Sequence, residues 1–148
     1  MKLLLVAIHL EPSARAVPLG AAMLAAVLKR SLADVLFTDV LNLYLQQSVA
    51  ECVEAILRRE PDAVGFSMYM WNRDLTLEIA RCLRERDPDL VLFAGGPEVT
   101  MALGEGGQGE LLDFVLPGEC EETIVPAMRY LLDGGNPKAI ADCVKPIP

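Results

Sequence analysis

Short aliphatic runs alternate with amphipathic stretches along this chain. Lys2 to Ile8 (KLLLVAI) is continuous and apolar, the pattern of a parallel strand covered on both faces. Punctuation follows in Glu11, Pro12, Ser13 and Pro18. From Pro18 the segment LGAAMLAAVLKRSL reads as a helix with Leu19, Met23, Ala26 and Val27 on one face. Lys29 and Arg30 fall near its C-terminal end, where cations suit the helix dipole, and Pro18 fits a first turn whose amides lack intrahelical acceptors. Val35 to Asp39 predicts a second strand, Ser48 to Arg59 a second helix with serine as its N-cap, and Ala63 to Ser67 a third strand entered through Pro61 and Asp62.

The alternation continues to the end of the patterned region. Asn72 caps a third predicted helix that runs through Arg86, with Leu75, Ile79, Cys82 and Leu83 inward and Arg73, Glu78, Arg81, Arg84 and Glu85 outward. Leu90 to Ala94 is the fourth strand and Phe114 to Leu116 a short fifth, separated by the glycine-rich GEGGQGE at 104–110, a loop or frayed short helix. A last helix spans roughly Glu121 to Leu132, with Pro126 close enough to its start that the missing amide costs little. Beyond Asp133-Gly134-Gly135 the tail holds three prolines and no period. The expected organisation is therefore an α/β domain over residues 1–135 and a linker over 136–148. Parallel neighbours need right-handed crossovers, so five strands interleaved with helices predict an open, doubly wound sheet of the Rossmann or flavodoxin kind. Its expected strand order is 2-1-3-4-5. Ligands of such sheets bind at the carboxyl ends of the strands, beside the switch between strands 1 and 3.

Composition agrees with a sheet buried on both sides, since 53% of residues are hydrophobic, 23% charged and only 5% aromatic. Acidic residues outnumber basic ones 21 to 13, a net charge of −8 without a basic stripe, which argues against nucleic acid as a partner. The four cysteines (Cys52, Cys82, Cys120, Cys143) lie 30, 38 and 23 positions apart. No pair has the Cys-x-x-Cys spacing of a zinc site, and they read as reduced thiols of a cytoplasmic protein. The opening MKLLLVAIHL has one lysine and an apolar run broken by His9, so it reads as a buried strand rather than a secretory leader. No run reaches the ~20 apolar residues of a membrane span.

Four segments reach the expected ligand edge: 9–18, 67–72, 95–100 and 117–123. Ser67 offers a hydroxyl there, and Tyr69 and Trp71, the chain's only tryptophan, offer flat amphipathic surfaces. Gly95-Gly96-Pro97-Glu98 leaves the fourth strand through two glycines, which serve either a tight turn or a close approach of backbone to ligand. Gly118-Glu119-Cys120-Glu121-Glu122-Thr123 precedes the last helix, where glutamates suit the dipole and free amides suit a polar ligand group. His9 is the single imidazole, and a lone histidine at a strand end more often hydrogen-bonds than ligates; no clustered partners support a protein-made metal site.

Familiar chemistries are excluded by what those exits hold. A dinucleotide fold wants Gly-x-Gly-x-x-Gly after strand 1, where this chain has LEPSARAVPLG, and no Gly-Lys-Ser/Thr phosphate loop occurs. Receiver domains of two-component signalling share the topology but need an acidic pair after strand 1 and an aspartate after strand 3, positions that here hold His9-Leu10 and Ser67-Met68. No nucleophile, base and orienting group stand in a workable relation, so no catalytic residue is assigned.

The set VGFSMYMWN, FAGGPEVT and DFVLPGECEET, together with the opening KLLLVAIHLEPSARAVPLGAAMLAAVLK, resembles the N-terminal cobalamin-binding-type domain that precedes the radical S-adenosylmethionine domain in a large group of enzymes. The resemblance covers residues 1–135 and is specific as a set rather than motif by motif. It implies that Ser67, Met68 and Tyr69 lie along the slot receiving the nucleotide tail of cobalamin, that Gly95 and Gly96 give the tail room, and that Glu98, Gly118, Glu119 and Thr123 border the groove. Tyr69 and Trp71 would lie near the corrin or face the partner domain. Two departures stand out. The Asp-x-His-x-x-Gly signature that ligates cobalt has no counterpart, its nearest stretch being Ala7-Ile8-His9-Leu10-Glu11-Pro12. The Cys-x-x-x-Cys-x-x-Cys that holds an iron–sulfur cluster is also absent. The resemblance therefore implies a fragment, inert alone, whose cluster, S-adenosylmethionine and methyltransferase or cyclase chemistry belong to a C-terminal domain in cis. A cofactor-free domain that docks the radical domain or a substrate is the competing expectation, and a flavodoxin-like site for flavin mononucleotide a third.

Overall fold

A computed structural model describes residues 1–99 and 111–140. The glycine-rich 104–110 segment, Thr100, Cys143 and the tail from 141 lie outside the described residues. Five strands, β1 (Lys2–His9), β2 (Phe37–Tyr44), β3 (Ala63–Ser67), β4 (Val91–Gly95) and β5 (Phe114–Leu116), form one parallel sheet in the order β2-β1-β3-β4-β5. Helices α1 (Leu19–Leu32) and α4 (Ile124–Leu132) pack together on one face, and α2 (Val49–Leu57) and α3 (Arg73–Arg86) on the other. The architecture and strand order are those the alternation predicts. Among the described residues no helix is long and apolar enough to cross a membrane.

Strand pleating sorts the aliphatic residues into two cores, because successive side chains point to opposite faces. Leu4, Val6, Val64, Phe66, Leu92 and Ala94 face α2 and α3, whereas Leu3, Leu5, Ala7, Ala63, Phe93 and Phe114 face α1 and α4. Ser48 closes a full capping box on α2: its hydroxyl accepts from the Glu51 amide while the Glu51 carboxylate accepts from the Ser48 amide. On the far side, Arg84 donates to the carbonyls of Pro88, Leu90 and Leu111 and to Asp113, and Asp113 also accepts from the Leu92 amide. That knot seats β5 beside β4.

Three local expectations change. The second strand begins at Phe37 and continues to Tyr44, past Asp39 and Asn42. Both polar residues belong in it: Asp39 pairs with Arg59 of the α2 exit, and Asn42 meets His9 across the strand. The buried stripe of α1 is Ala21, Ala25, Leu28 and Leu32, leaving Leu19 and Met23 exposed at 64% and 44%. Small residues let this helix lie close on the sheet, so its bulkier side chains turn outward. Arg84, expected outward, is half-buried in the knot just described. Ile140, after a short 3-10 turn at Pro137–Ala139, is fully buried in the α1/α4 core.

Candidate functional site

Register across the sheet builds the floor of a slot. Leu5, Gly65, Phe93 and Phe114 are mutually paired along one transverse row, and Ala7, Ser67, Gly95 and Leu116 along the next, nearer the carboxyl edge. Both rows face α1 and α4. The first is filled: the Phe93 ring lies over Gly65, where a Cβ would collide with it, and stacks on Phe114 at 4.8 Å between centroids and 6° between planes. The second is hollow at Ser67 and Gly95, which have little or no side chain, while Ala7 lines an outer cleft. Gly20, Ala21 and Leu24 of α1 form one wall and the Gly118–Glu121 turn the other, enclosing a cavity of about 210 Å³.

Gly96 and Gly118 hold the backbone open at the exits of β4 and β5, with φ of +115° and +74°. At Gly96 a Cβ would stand 2.5 Å from the Met68 carbonyl, so this position tolerates no side chain. Cys120 leans over Gly95, its thiol directed at the Leu116 carbonyl at 3.2 Å. Burial pushes that thiol's pKa up.

A second cavity of about 480 Å³ opens beneath the β1–α1 loop, lined by His9, Glu11, Ser13, Arg15, Val17 and Trp71 among others. Slot and outer cleft share Gly20, Ala21, Ser67 and Tyr69. The turn after β3 is pinned by Asn72, which is fully buried. Its Oδ1 accepts from the Tyr69 amide at 2.9 Å, and its Nδ2 donates to the carbonyls of Ser67 (3.0 Å) and Ile8 (3.3 Å). Asn72 thus precedes α3 without capping it by its side chain; its amide instead ties β1 to β3 at the switch point. Tyr69 stacks on Trp71 at 4.6 Å and 7°, and the Trp71 indole N–H reaches the Ile8 carbonyl at 3.4 Å.

The family profile described as "B12 binding domain" matches residues 6–126, most of the chain. The chain belongs to the B12 binding domain family. It is 32% identical over 90 residues to 2-(S-pantetheinyl)-carbapenam-3-carboxylate methyltransferase of Streptantibioticus cattleyicolor, an alignment covering 60% of this chain and 12% of the relative. It is 36% identical over 56 residues to the cobalamin-dependent radical SAM methyltransferase TokK of Streptomyces tokunonensis, covering 38% of this chain and 8% of TokK. Among solved structures, the cobalamin-dependent S-adenosylmethionine radical enzyme OxsB with aqua-cobalamin bound superposes with a TM-score of 0.63 at 16% identity, over 89% of this chain and 19% of OxsB. The isolated REC domain of RcsB from Salmonella enterica serovar Typhimurium gives 0.57 at 8% identity, over 96% of this chain and 98% of that one. At such identities the superpositions speak for the fold alone. The B12 binding domain described here spans about an eighth or less of the two methyltransferases.

Within this B12 binding domain, six of the sequence-selected residues meet at the slot: Ser67, Tyr69, Gly95, Gly96, Gly118 and Glu119. Trp71 stands in the outer cleft. Three others fall elsewhere. Met68 is one position out of phase with Ser67, so its side chain is fully buried against α2 and α3 and only its backbone borders Gly96. Glu98 sits beyond the turn, its amide facing the Met68 carbonyl at 3.5 Å, and lines neither cavity. Thr123 is buried and donates its hydroxyl to the Cys120 carbonyl at 3.3 Å. Sequence reading missed Leu5, Gly20, Gly65, Phe93 and Cys120. Counting back by two from Ser67 and from Gly95 finds Gly65 and Phe93; nothing in the sequence alone marks Gly20. His9 hydrogen-bonds Asn42 at 3.0 Å, the role expected of a lone strand-end histidine. No group of three or more potential metal ligands is found among the described residues.

Proposed function

We propose that this chain is the cobalamin-holding module of a longer radical S-adenosylmethionine enzyme, with the cofactor's nucleotide tail in the slot between α1 and the Gly118–Glu121 turn and the macrocycle at the outer cleft. The hollow at Ser67, Gly95 and Leu116, walled by α1, carries this reading. Its fit to a tail rests on chemistry: an apolar floor for a flat base, a Ser67 hydroxyl and glycine amides for its polar atoms, and glycines where side chains would fill the space. The slot is smaller than the roughly 300–1,000 Å³ of sites that enclose a drug-sized ligand, which suits a tail end rather than a whole corrinoid. The wider cleft beside it accepts the rest.

Ser67 and the Gly95-Gly96 and Gly118 backbones would hold the tail, Leu24 and Leu116 would exclude water from it, and Tyr69 and Trp71 would border the macrocycle. Bound cobalamin supplies methyl-carrier chemistry. His9 is engaged with Asn42 and has no carboxylate to orient it, so the reading assigns the chain no cobalt ligand. Catalysis, the iron–sulfur cluster and S-adenosylmethionine are assigned to a C-terminal domain in cis, and the setting to the cytoplasm. Two measurements test the reading. The chain is incubated with hydroxocobalamin, passed through a desalting column and its visible spectrum recorded; retained corrin absorbance near stoichiometric supports it. A colourless eluate sinks it and leaves a docking domain without cofactor, while retention of flavin mononucleotide in a parallel run points to a flavodoxin-like site.

A further inference from the structure

The slot and the outer cleft meet at four shared residues, of which Gly20 and Tyr69 stand on opposite sides. Tyr69 lines both cavities from the β3 side and Gly20 lines both from α1. They face each other: a Cβ built on Gly20 would lie 3.9 Å from the Tyr69 hydroxyl, which is van der Waals contact. Tyr69 is held there from behind. Its amide is fixed by the buried Asn72, and its ring stacks almost parallel on Trp71, itself tethered to the Ile8 carbonyl. The Gly20 side has no side chain to retract, so any widening must come from the tyrosine.

Resting on the corrinoid reading above, we propose that Tyr69 is a specificity-determining residue of this domain: it sets the width of a throat between slot and cleft. The throat favours ligands built as two bodies joined by a slender tether. A compact rigid molecule occupies one cavity or the other, whereas a flat base on a flexible phosphodiester arm places its base in the slot and its larger body outside. For such a ligand the slow event is passage of the base past Tyr69, which requires the Tyr69–Trp71 stack to open. Association is then limited by a conformational step rather than by encounter. Once the base is home, the ring closes over the tether and slows escape.

The test is stopped-flow association of the full chain with two corrinoids, hydroxocobalamin and cobinamide, which has the macrocycle but no nucleotide. Tyr69→Ala is expected to raise the hydroxocobalamin association rate constant roughly tenfold, removing the gating step, and to change that for cobinamide, whose macrocycle only borders Tyr69, by much less. Tyr69→Phe keeps the stacked ring but removes the hydroxyl that faces Gly20, so its hydroxocobalamin rate should lie between those of the unmodified chain and Tyr69→Ala. Gly20→Ala narrows the throat from the opposite wall at a helical position that accepts alanine, and should slow hydroxocobalamin alone. Hydroxocobalamin rates equal across all four proteins overturn the throat while leaving the corrinoid reading intact. Equal acceleration of both corrinoids by Tyr69→Ala also overturns it, since Tyr69 then acts on the macrocycle. Failure of every protein to bind either corrinoid overturns both.

Discussion

A leucine at position 20 should separate ligand binding from folding. The sequence by itself suggests Gly96→Trp as a plug that spares the fold, but the φ of +115° at Gly96 and the nearness of the Met68 carbonyl make any side chain there a backbone defect. Gly20 is different. It lies in helical backbone near the start of α1, and the nearest atom to its added Cβ is the Tyr69 hydroxyl at 3.9 Å. Helix propensity favours leucine over glycine by up to about 1 kcal/mol, less so near a terminus, so the substitution should leave stability unchanged or slightly raised. The side chain projects into the constriction and excludes a base from the slot. If a bicyclic base buries on the order of 150 Å² there, at about 25 cal/mol per Å² its exclusion costs roughly 4 kcal/mol. That is a weakening of a few hundredfold in Kd at 1.4 kcal/mol per tenfold. Spectroscopic titration with hydroxocobalamin, paired with urea unfolding of the apo chain, reads both quantities. Unweakened binding by a variant of normal stability refutes the slot as the site of the tail.

Three further outcomes follow from named contacts. Asn72→Ala removes the acceptor of the Tyr69 amide and a donor to the Ser67 and Ile8 carbonyls, the latter keeping the Trp71 indole, and should destabilise the chain by on the order of 3 kcal/mol, read as a lower urea midpoint at unchanged m-value. Asp113→Ala strands Arg84, half-buried, and removes the acceptor of the Leu92 amide; a loss of roughly 2–3 kcal/mol is expected, below the full range for a buried pair because Arg84 is partly solvated. The Glu51 carboxyl is held below the ordinary carboxylate range, first by the Ser48 amide and then by the Ser48 hydroxyl. A depressed native pKa contributes stability above the unfolded value that is lost as pH falls through the native one. Glu51→Gln should therefore flatten the acid limb of a stability-versus-pH curve, and an unchanged limb would contradict the capping assignment.

How much of this was legible depends on where the information resides. β3 and β5 were read with their correct ends because Pro61-Asp62 and Asp113 mark their starts and compositional breaks follow them. β2 was misplaced because an edge strand tolerates polar residues: Asp39 and Asn42 look like an ending until Arg59 and His9 are seen to satisfy them. Residues at strand exits were found because topology places every exit at one edge. The interior of the slot was not, since it exists only in register. Leu5, Gly65 and Phe93 are 60 and 28 positions apart in sequence and adjacent in one row. The Met68 side chain lies on the opposite face for the same reason, because motif adjacency ignores the two-residue period that sends neighbours to opposite faces.

Fold likeness cannot choose the ligand here. The TM-score of 0.57 with an RcsB receiver domain stands close to the 0.63 with cobalamin-bound OxsB, although one superposition covers almost a whole signalling domain and the other a fifth of an enzyme. What differs is the chemistry that this sequence puts at a shared edge. A site for phosphoryl transfer at the exits of β1 and β3 needs carboxylates to hold a divalent cation and accept the phosphoryl group. This chain places His9 and Ser67 at those exits, followed by Leu10 and Met68. In place of charge it has a depression, made by Ser67 and Gly95 in a row where larger residues would fill the space beside α1. A hollow row is costly to leave empty in a core otherwise lined by Leu5, Phe93 and Leu116, because its walls forgo the contacts that close packing gives. Retaining it makes physical sense where a flat guest supplies those contacts, and Ser67, the small side chain that the row contributes to the slot, is the residue whose enlargement should stabilise the apo chain while abolishing the guest; at Gly95 a Cβ would already meet the Cys120 sulfur at 2.9 Å.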